Sequence, residues 1–246
     1  MAEQIKVQAI VINKVDYKDN DRIITLFSPE KGRLTAAVRG IKKPSSKLRS
    51  SGELFVWGEY ILKETKSGRI VTAFDIIEDF HALREDFSAL SAGAMMLRLC
   101  DKAIEEEQPS YEAFSLLVRC LNKLNSAYSP ALVISVFLFR LVSIMGYMPQ
   151  TQSCAVCGTT QGLNYLSPSA GSCVCSNCRH DDAFAISGAC LFFIKKITQG
   201  TTEECFVLKP TPEQEKELYS SACRYAQYFF EGKIKIAEYI KKYKLI

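Results

Sequence analysis

Three runs within residues 5–38 decide the fold: Ile5-Lys6-Val7-Gln8-Ala9-Ile10-Val11, then Arg22-Ile23-Ile24-Thr25-Leu26-Phe27, then Leu34-Thr35-Ala36-Ala37-Val38. The first alternates apolar with polar residues and then turns continuously apolar, the pattern of a strand entering a core. Asp19-Asn20-Asp21 and Ser28-Pro29-Glu30-Lys31-Gly32 lie between the runs and favour turns. Further out, Leu54 to Leu62 forms a fourth run, with Phe55, Trp57 and Tyr60, and Arg69 to Ile77 a fifth, rich in β-branched residues. Gly40 to Gly52 and Ser67-Gly68 provide the remaining breaks. Five short strands in about eighty residues suit a small closed barrel of the OB type.

Beyond Phe80 the apolar period lengthens. Phe87, Leu90, Ala94, Leu97, Ala103 and Ile104 are spaced for a helix, with Asp86 as its N-cap. Gln108-Pro109-Ser110 breaks it, and Tyr111 to Leu124 reads as a second helix. Ser129-Pro130 opens a third, because proline is tolerated in a first turn, and Gly146 to Pro149 ends it. Ala131 to Met148 approaches membrane-spanning length, but Arg140 at its centre, with Ser135 and Ser143, marks a buried core helix. Helical patterns return at Ser187 to Thr198, Thr211 to Phe230 and Ile234 to Tyr243. Met1 to Gln8 has no signal-peptide character, so a soluble cytoplasmic protein without a membrane partner is expected. A composition of 48% hydrophobic and 24% charged residues excludes disorder for most of the chain. The expected fold class is α+β multidomain. A five-stranded OB-fold barrel over residues 1–80 precedes an all-α domain over 81–246, with a four-cysteine insertion at 151–180.

Ten cysteines in a reducing compartment are thiols or metal ligands. Cys154-Ala-Val-Cys157 and Cys175-Ser-Asn-Cys178 repeat one C-x2-C spacing, with seventeen residues between the pairs. Each such turn presents two thiolates to one ion, and two turns complete a tetrahedral shell, so one structural Zn2+ is expected. A shell closed by four cysteines has no open position for catalysis. Cys173 and His180 lie nearby and could stand in as ligands, although the regular spacing already supplies four. Cys100, Cys120, Cys190, Cys205 and Cys223 sit among apolar residues and read as core.

Between Lys31 and Ser50 the cations are Lys31, Arg33, Arg39, Lys42, Lys43, Lys47 and Arg49, and no carboxylate occurs, so the window carries +7 against +4 for the whole chain. Serines 45, 46, 50 and 51 add donors, and Gly40 and Gly52 flank what reads as a flexible segment. On an OB-type barrel such a loop suits a phosphate backbone, whose condensed counterions are released on binding. Lys63, Lys66 and Arg69 extend the basic surface. Tyr17, Phe27, Phe55, Trp57 and Tyr60 are candidate base-stacking residues, although most aromatics in strands serve the core. Catalytic patterns are missing: two histidines only, no phosphate loop, no G-x-S-x-G and no H-E-x-x-H, so no enzymatic activity is expected. Glu105-Glu106-Glu107 reads as a solvated helix end.

Three stretches together resemble the bacterial RecO family of DNA repair and recombination mediators. They are Tyr17-Lys-Asp-Asn-Asp21-Arg22-Ile-Ile-Thr-Leu-Phe27-Ser-Pro-Glu-Lys-Gly32, Val38-Arg39-Gly40-Ile-Lys42-Lys43-Pro-Ser-Ser46, and Gly146-Tyr147-Met-Pro149 leading into Cys154-x2-Cys157 and Gly171 to Cys178. The resemblance implies an N-terminal OB-fold, a helical C-terminal domain with a zinc-binding insertion, and a bacterial, cytoplasmic, nucleoid-associated protein. It implies binding to single- and double-stranded DNA and annealing of complementary strands. The implied partners are RecR and the acidic, apolar C-terminal tail of the single-stranded DNA-binding protein, with RecA engaged indirectly as it is loaded onto coated DNA. The implied zinc ligands are Cys154, Cys157, Cys175 and Cys178. The basic residues counted as DNA contacts are Arg22, Arg33, Arg39, Lys42, Lys43, Lys47 and Arg49. The chain departs from the family at Gly171-Ser172, where a glycine pair is common. Two other readings stay open: a zinc-containing protein-interaction adaptor with incidental DNA binding, and a zinc-dependent hydrolase or nuclease, which the closed cysteine shell disfavours.

Overall fold

The computed structural model describes residues 4–232 and 234–236. Two compact units follow one another along the chain, Met1–Asn125 and Ser126–Ile246. In the first, β1 (Gln4–Tyr17), β2 (Asp21–Ser28), β3 (Gly32–Val38), β4 (Trp57–Thr65) and β5 (Gly68–Glu78) close into a barrel in the order β1-β2-β3-β5-β4. Closure is possible because β1 is long. Its first half pairs with β4 from Gln4 to Ile10, and its second half pairs with β2 from Ile10 to Tyr17. A bulge between Val11 and Asn13 lets the strand bend from one neighbour to the other. The barrel is sealed by a short parallel pairing of β3 with β5 at Ala36 and Ala37. This is the expected five-stranded OB-fold.

Strand alternation fills the interior with Val7, Ala9, Val11, Ile24, Leu26, Leu34, Ala36, Val38, Tyr60, Leu62 and Val71. The β1 strand runs six residues beyond the Val11 at which its apolar run ends. The fourth strand begins at Trp57 rather than Leu54. Phe55 there is buried at a φ of +71°, and its N–H donates to the Val11 carbonyl at 3.2 Å. Residues 54–56 are apolar because they are covered, not because they form a strand.

Two helices complete this unit, α1 (Phe87–Ala103) and α2 (Tyr111–Asn125). The Asp86 carboxylate accepts from the Ala89 N–H at 2.9 Å, as expected for an N-cap. Glu105 to Glu107 is more than a solvated helix end. Glu106 bridges to Gly32 and Arg33 at the start of β3, and its carboxylate meets Arg33 Nη2 at 3.1 Å. That approach requires Gly32. Its φ is +59°, and a Cβ would lie 2.2 Å from the Gln108 carbonyl oxygen and 2.7 Å from that of Glu105. Gly32→Ala is therefore expected to destabilise the unit by about 2–4 kcal/mol, combining left-handed strain with a backbone clash. Gly68→Ala, at a φ of +112° with open space around it, should cost only the conformational part, about 1–2 kcal/mol. Urea midpoints of the two variants check this, and equal losses would refute the clash.

The second unit contains α3 (Pro130–Ile144), β6 (Tyr165–Ser167), β7 (Ser172–Val174), β8 (Phe184–Ala185), α4 (Gly188–Gln199), α5 (Thr202–Cys205) and α6 (Pro212–Phe229). Helix α3 is buried along nearly its whole length. Its polar residues have internal partners: Ser135 and Ser143 donate to Ala131 and Phe139 carbonyls at 2.7 Å each, and Arg140 donates to the Gly200 carbonyl. No helix among the described residues is long and apolar enough to cross a membrane. Ser129, Ser187 and Thr211, where the helical patterns begin, serve as N-caps, and Gly146 takes the left-handed turn after α3. The cysteine-rich segment holds a three-stranded sheet, β7-β6-β8, whose strands of two or three residues are too short to show a period. Of the helix expected from Ile234 to Tyr243, residues 237–243 lie outside the described residues.

Candidate metal centre and nucleic-acid interface

Between α3 and β6 the chain makes a tight turn at Cys154 to Thr159. Gly158, at a φ of +75°, donates its N–H to the Cys154 carbonyl at 2.9 Å, and Cys154 N–H donates to the Thr159 carbonyl at 2.8 Å. The second turn, at Cys175, closes through Cys178 N–H on the Cys175 carbonyl at 3.1 Å. The two turns are held together by backbone: Ala155 N–H on the Cys173 carbonyl at 3.3 Å and Cys173 N–H on the Gln150 carbonyl at 2.8 Å. As a result Cys154, Cys157, Cys175 and Cys178 bring their sulfurs within 4.8 Å of one another.

The Cys157 and Cys175 sulfurs stand 3.8 Å apart. A tetrahedron with metal–sulfur bonds of about 2.3 Å has edges of about 3.8 Å, so this donor set fits one ion with soft-ligand preference. Backbone N–H groups of Cys157 and Cys175 aimed at the Cys154 sulfur favour its thiolate and hold the thiol down to about 6. Hydrogen bonding to the Cys157 and Cys175 sulfurs keeps the proton on Cys178 and pushes it upward. Metal binding to such a cluster displaces thiol protons. Neither Cys173 nor His180 joins the cluster. Cys173 is fully buried in β7, where burial pushes its thiol up to about 12, and His180 is exposed. Cys100, Cys120, Cys190, Cys205 and Cys223 are all buried, as core residues should be.

The cations of the barrel fall into two groups. Arg22 is largely enclosed, with carboxylate partners at Asp16 (2.9 Å) and Glu53 (2.7 Å) and the Gly52 carbonyl at 3.1 Å. Arg33 is held by Asp101 and Glu106. These two side chains are occupied in fastening β2 and β3 to neighbouring segments. Arg69 is likewise taken, by Glu64 and Glu107. In contrast Arg39, Lys43, Lys47 and Arg49 are exposed and make no ion pair among the described residues, while the exposed Lys42 meets Asp16 at 3.0 Å. Sequence alone does not show which cations have internal partners, because Asp16, Glu53 and Asp101 are remote along the chain.

The segment carrying the free cations runs through consecutive turns. Lys43 N–H bonds the Gly40 carbonyl at 3.1 Å, Ser46 N–H the Lys43 carbonyl at 3.0 Å, and Ser51 N–H the Leu48 carbonyl at 3.1 Å. Gly40 N–H donates to Asp21 Oδ1 at 2.8 Å, and Ile41 is buried in the barrel core with Leu48 packed against it. Ser51 offers its carbonyl to the buried Tyr60 hydroxyl at 3.1 Å. Anchors at both ends thus hold the basic turns against the barrel.

Comparison with known proteins finds two adjoining family matches: "Recombination protein O N terminal" over residues 1–80 and "Recombination protein O C terminal" over residues 84–235. The "DNA repair protein RecO" of Desulfitobacterium hafniense (strain Y51) is 34% identical over 230 residues, covering 91% of this chain and 82% of that protein. The protein of the same name from Clostridium novyi (strain NT) is 28% identical over 242 residues, covering 96% and 94%. The chain belongs to the RecO family. It is a DNA repair protein of that family, with the family's OB-fold barrel and a four-cysteine cluster able to hold a metal. The stretches that carry the resemblance to RecO take definite places. Tyr17 to Gly32 comprises the β1–β2 turn, β2 and the turn into β3, Val38 to Ser46 holds most of the basic turns, and Gly146 to Pro149 ends α3. At the departure from the usual RecO glycine pair, the residue that needs a positive φ, Gly171 at +59°, is still glycine. Ser172 enters β7 and donates to the Gln150 carbonyl at 3.1 Å.

Proposed function

We propose that this RecO-family chain is a non-enzymatic recombination mediator that binds single- and double-stranded DNA and anneals complementary strands. The observation that carries it is the set of cations Arg39, Lys43, Lys47 and Arg49, exposed, without ion pairs among the described residues, on turns anchored to an OB-fold barrel. Cations held in place at low conformational cost neutralise backbone phosphates and leave base edges free to pair. Charge neutralisation lowers repulsion between two strands, which favours annealing. Lys42 joins the set when a phosphate displaces Asp16, while Arg22 and Arg33 support the surface from behind. Residues 1–80 would then be the DNA-binding domain, and 81–246 a helical domain with the insertion at 151–180. Zinc is the metal proposed for Cys154, Cys157, Cys175 and Cys178, because a closed four-thiolate shell suits a structural d10 ion. It would hold the two C-x2-C turns together and supply no reaction chemistry. The resemblance to the family supports RecR, the single-stranded DNA-binding protein tail and, indirectly, RecA as partners in the bacterial cytoplasm.

The test is annealing of complementary strands coated with single-stranded DNA-binding protein. The full chain should accelerate duplex formation without ATP, and the effect should fade as salt is raised. Annealing no faster than with the coating protein alone would rule the reading out.

A further inference from the structure

Of the five aromatic residues considered for base stacking, four are committed to the protein. Phe27, Phe55 and Tyr60 are buried, and Trp57 packs edge-on against Phe114 at a centroid distance of 6.0 Å. Tyr17 is different: it ends β1 with 46% of its surface exposed. We infer that Tyr17 stacks on a nucleobase and adds affinity for unpaired DNA that a duplex does not receive, an inference that rests on the nucleic-acid reading above.

Position supports this. Tyr17 pairs with Asp21 across β1 and β2, and Asp21 in turn accepts the Gly40 N–H that begins the basic turns. Lys42 N–H donates to the Asn20 carbonyl at 3.2 Å, so the hairpin tip and the basic turns abut. Strand alternation places Val15 on the same face of β1 as Tyr17, in register with Ile23 of β2, which is in register with Ala37 of β3. This is the outward face, since Ile24, Ala36 and Val38 point into the core. Val15 is 59% exposed, and Ile23 and Ala37 are half-buried beside a cleft of about 420 Å³ that Thr35, Thr65 and Arg69 also line. The charged residues lining the cleft, Glu64 and Arg69, are paired with each other at 3.1 Å, so the apolar strip of Val15, Ile23 and Ala37 with one exposed ring at its end suits base faces better than phosphates.

The charge around the ring points the same way. Asp19, exposed at the hairpin tip, disfavours a phosphate beside the ring, while Asp16 is already paired with Arg22 and Lys42, which leaves the backbone to the Lys43 to Arg49 side. The Lys18 ammonium lies over one face of the Tyr17 ring, 5.2 Å from its centroid, so a base stacks on the opposite face. Every base has a π-face, so stacking there is tolerant of sequence. A duplex keeps those faces internal and offers only its backbone, so Tyr17 would not act on it.

The test uses the full chain with three probes: an oligothymidylate, an abasic oligomer of the same length and a duplex. Tyr17→Ala should weaken oligothymidylate binding roughly five- to a hundred-fold. Its salt slope and its affinities for the abasic and duplex probes should stay at the parent's values. Tyr17→Phe should bind like the parent. Tyr17→Leu, which keeps apolar bulk without a π-face, should behave like Tyr17→Ala and guards against a local folding effect. Parent-like oligothymidylate affinity in Tyr17→Ala would overturn the inference, as would equal losses on all three probes, which would mean that Tyr17 acts by positioning the basic turns. Absence of salt-dependent binding in the parent itself would instead defeat the broader DNA-binding reading.

Discussion

Replacing Cys154 or Cys178 by serine is expected to release the bound metal and to destabilise the second unit by about 3–5 kcal/mol or more. The segment from Thr151 to His180 has little else to hold it. Its strands are two or three residues long, and its buried apolar residues are few, chiefly Leu163, Leu166 and Val174. Segments of this kind bury too little surface to offset their own chain entropy, so a metal that joins both turns supplies folding energy directly. Structural zinc contributes on the order of 10–16 kcal/mol in isolated finger peptides. Serine keeps the shape of the side chain but not the thiolate, and three ligands hold the ion far less well than four. Elemental analysis of the parent, purified without chelator, should show about one zinc per chain. Thermal melts and limited proteolysis of the variants should show a lower midpoint, with new cleavage within residues 151–180. A parent free of metal, or a serine variant with unchanged melt and proteolysis, would refute the centre. Cys173→Ser provides the contrast: it should keep its metal, because its sulfur faces the core and not the cluster.

The triple variant Arg39→Glu, Lys42→Glu and Lys43→Glu should bind DNA of every sequence at least tenfold more weakly. The slope of log affinity against log salt should flatten by roughly one unit for each phosphate no longer neutralised, or about three units in all. Reversal at Lys42 also places a carboxylate beside Asp16, whose own charge Lys42 and Arg22 hold well below the usual carboxylate range. That repulsion is solvent-exposed and screened, so it should cost folding little. A circular dichroism melt close to the parent's is therefore the control. The competing surface is the lysine-rich C-terminus. Lys235 is exposed, while Lys233, Lys241, Lys242 and Lys244 lie outside the described residues. Charge reversal there, run in parallel, decides between the two. A folded triple variant with unaltered affinity and slope would move the interface away from the basic turns.

Local patterns account for much of this molecule. The alternation from Ile5 to Val11, the caps at Asp86, Ser129, Ser187 and Thr211, and the repeated C-x2-C spacing are short-range signals. Each is written within a few consecutive residues, which is why they can be read from the chain directly, although β1 finds its partner in β4 and the two C-x2-C turns find each other. The stretches shared with RecO proteins added the family, and with it the expected OB-fold.

Other features depended on partners remote in sequence. Whether a cation is free was decided by carboxylates far along the chain, Glu53 for Arg22 and Asp101 with Glu106 for Arg33. The reach of β1 to Tyr17 was set by β2, which supplies hydrogen bonds to a polar stretch with no apolar period of its own. Tyr60 and Tyr17 look alike in sequence, yet closure of the barrel encloses one and leaves the other at a hairpin tip. The packing of Ile41 and Leu48 from the basic turns onto the barrel core is likewise set by the fold. Residue type and spacing thus determined the elements, their caps and the metal-ligand candidates, since these follow from local backbone and side-chain chemistry. Tertiary structure alone decided burial, ion pairing and which charges face solvent, because Coulomb and packing energies depend on distance in space and not on separation along the chain.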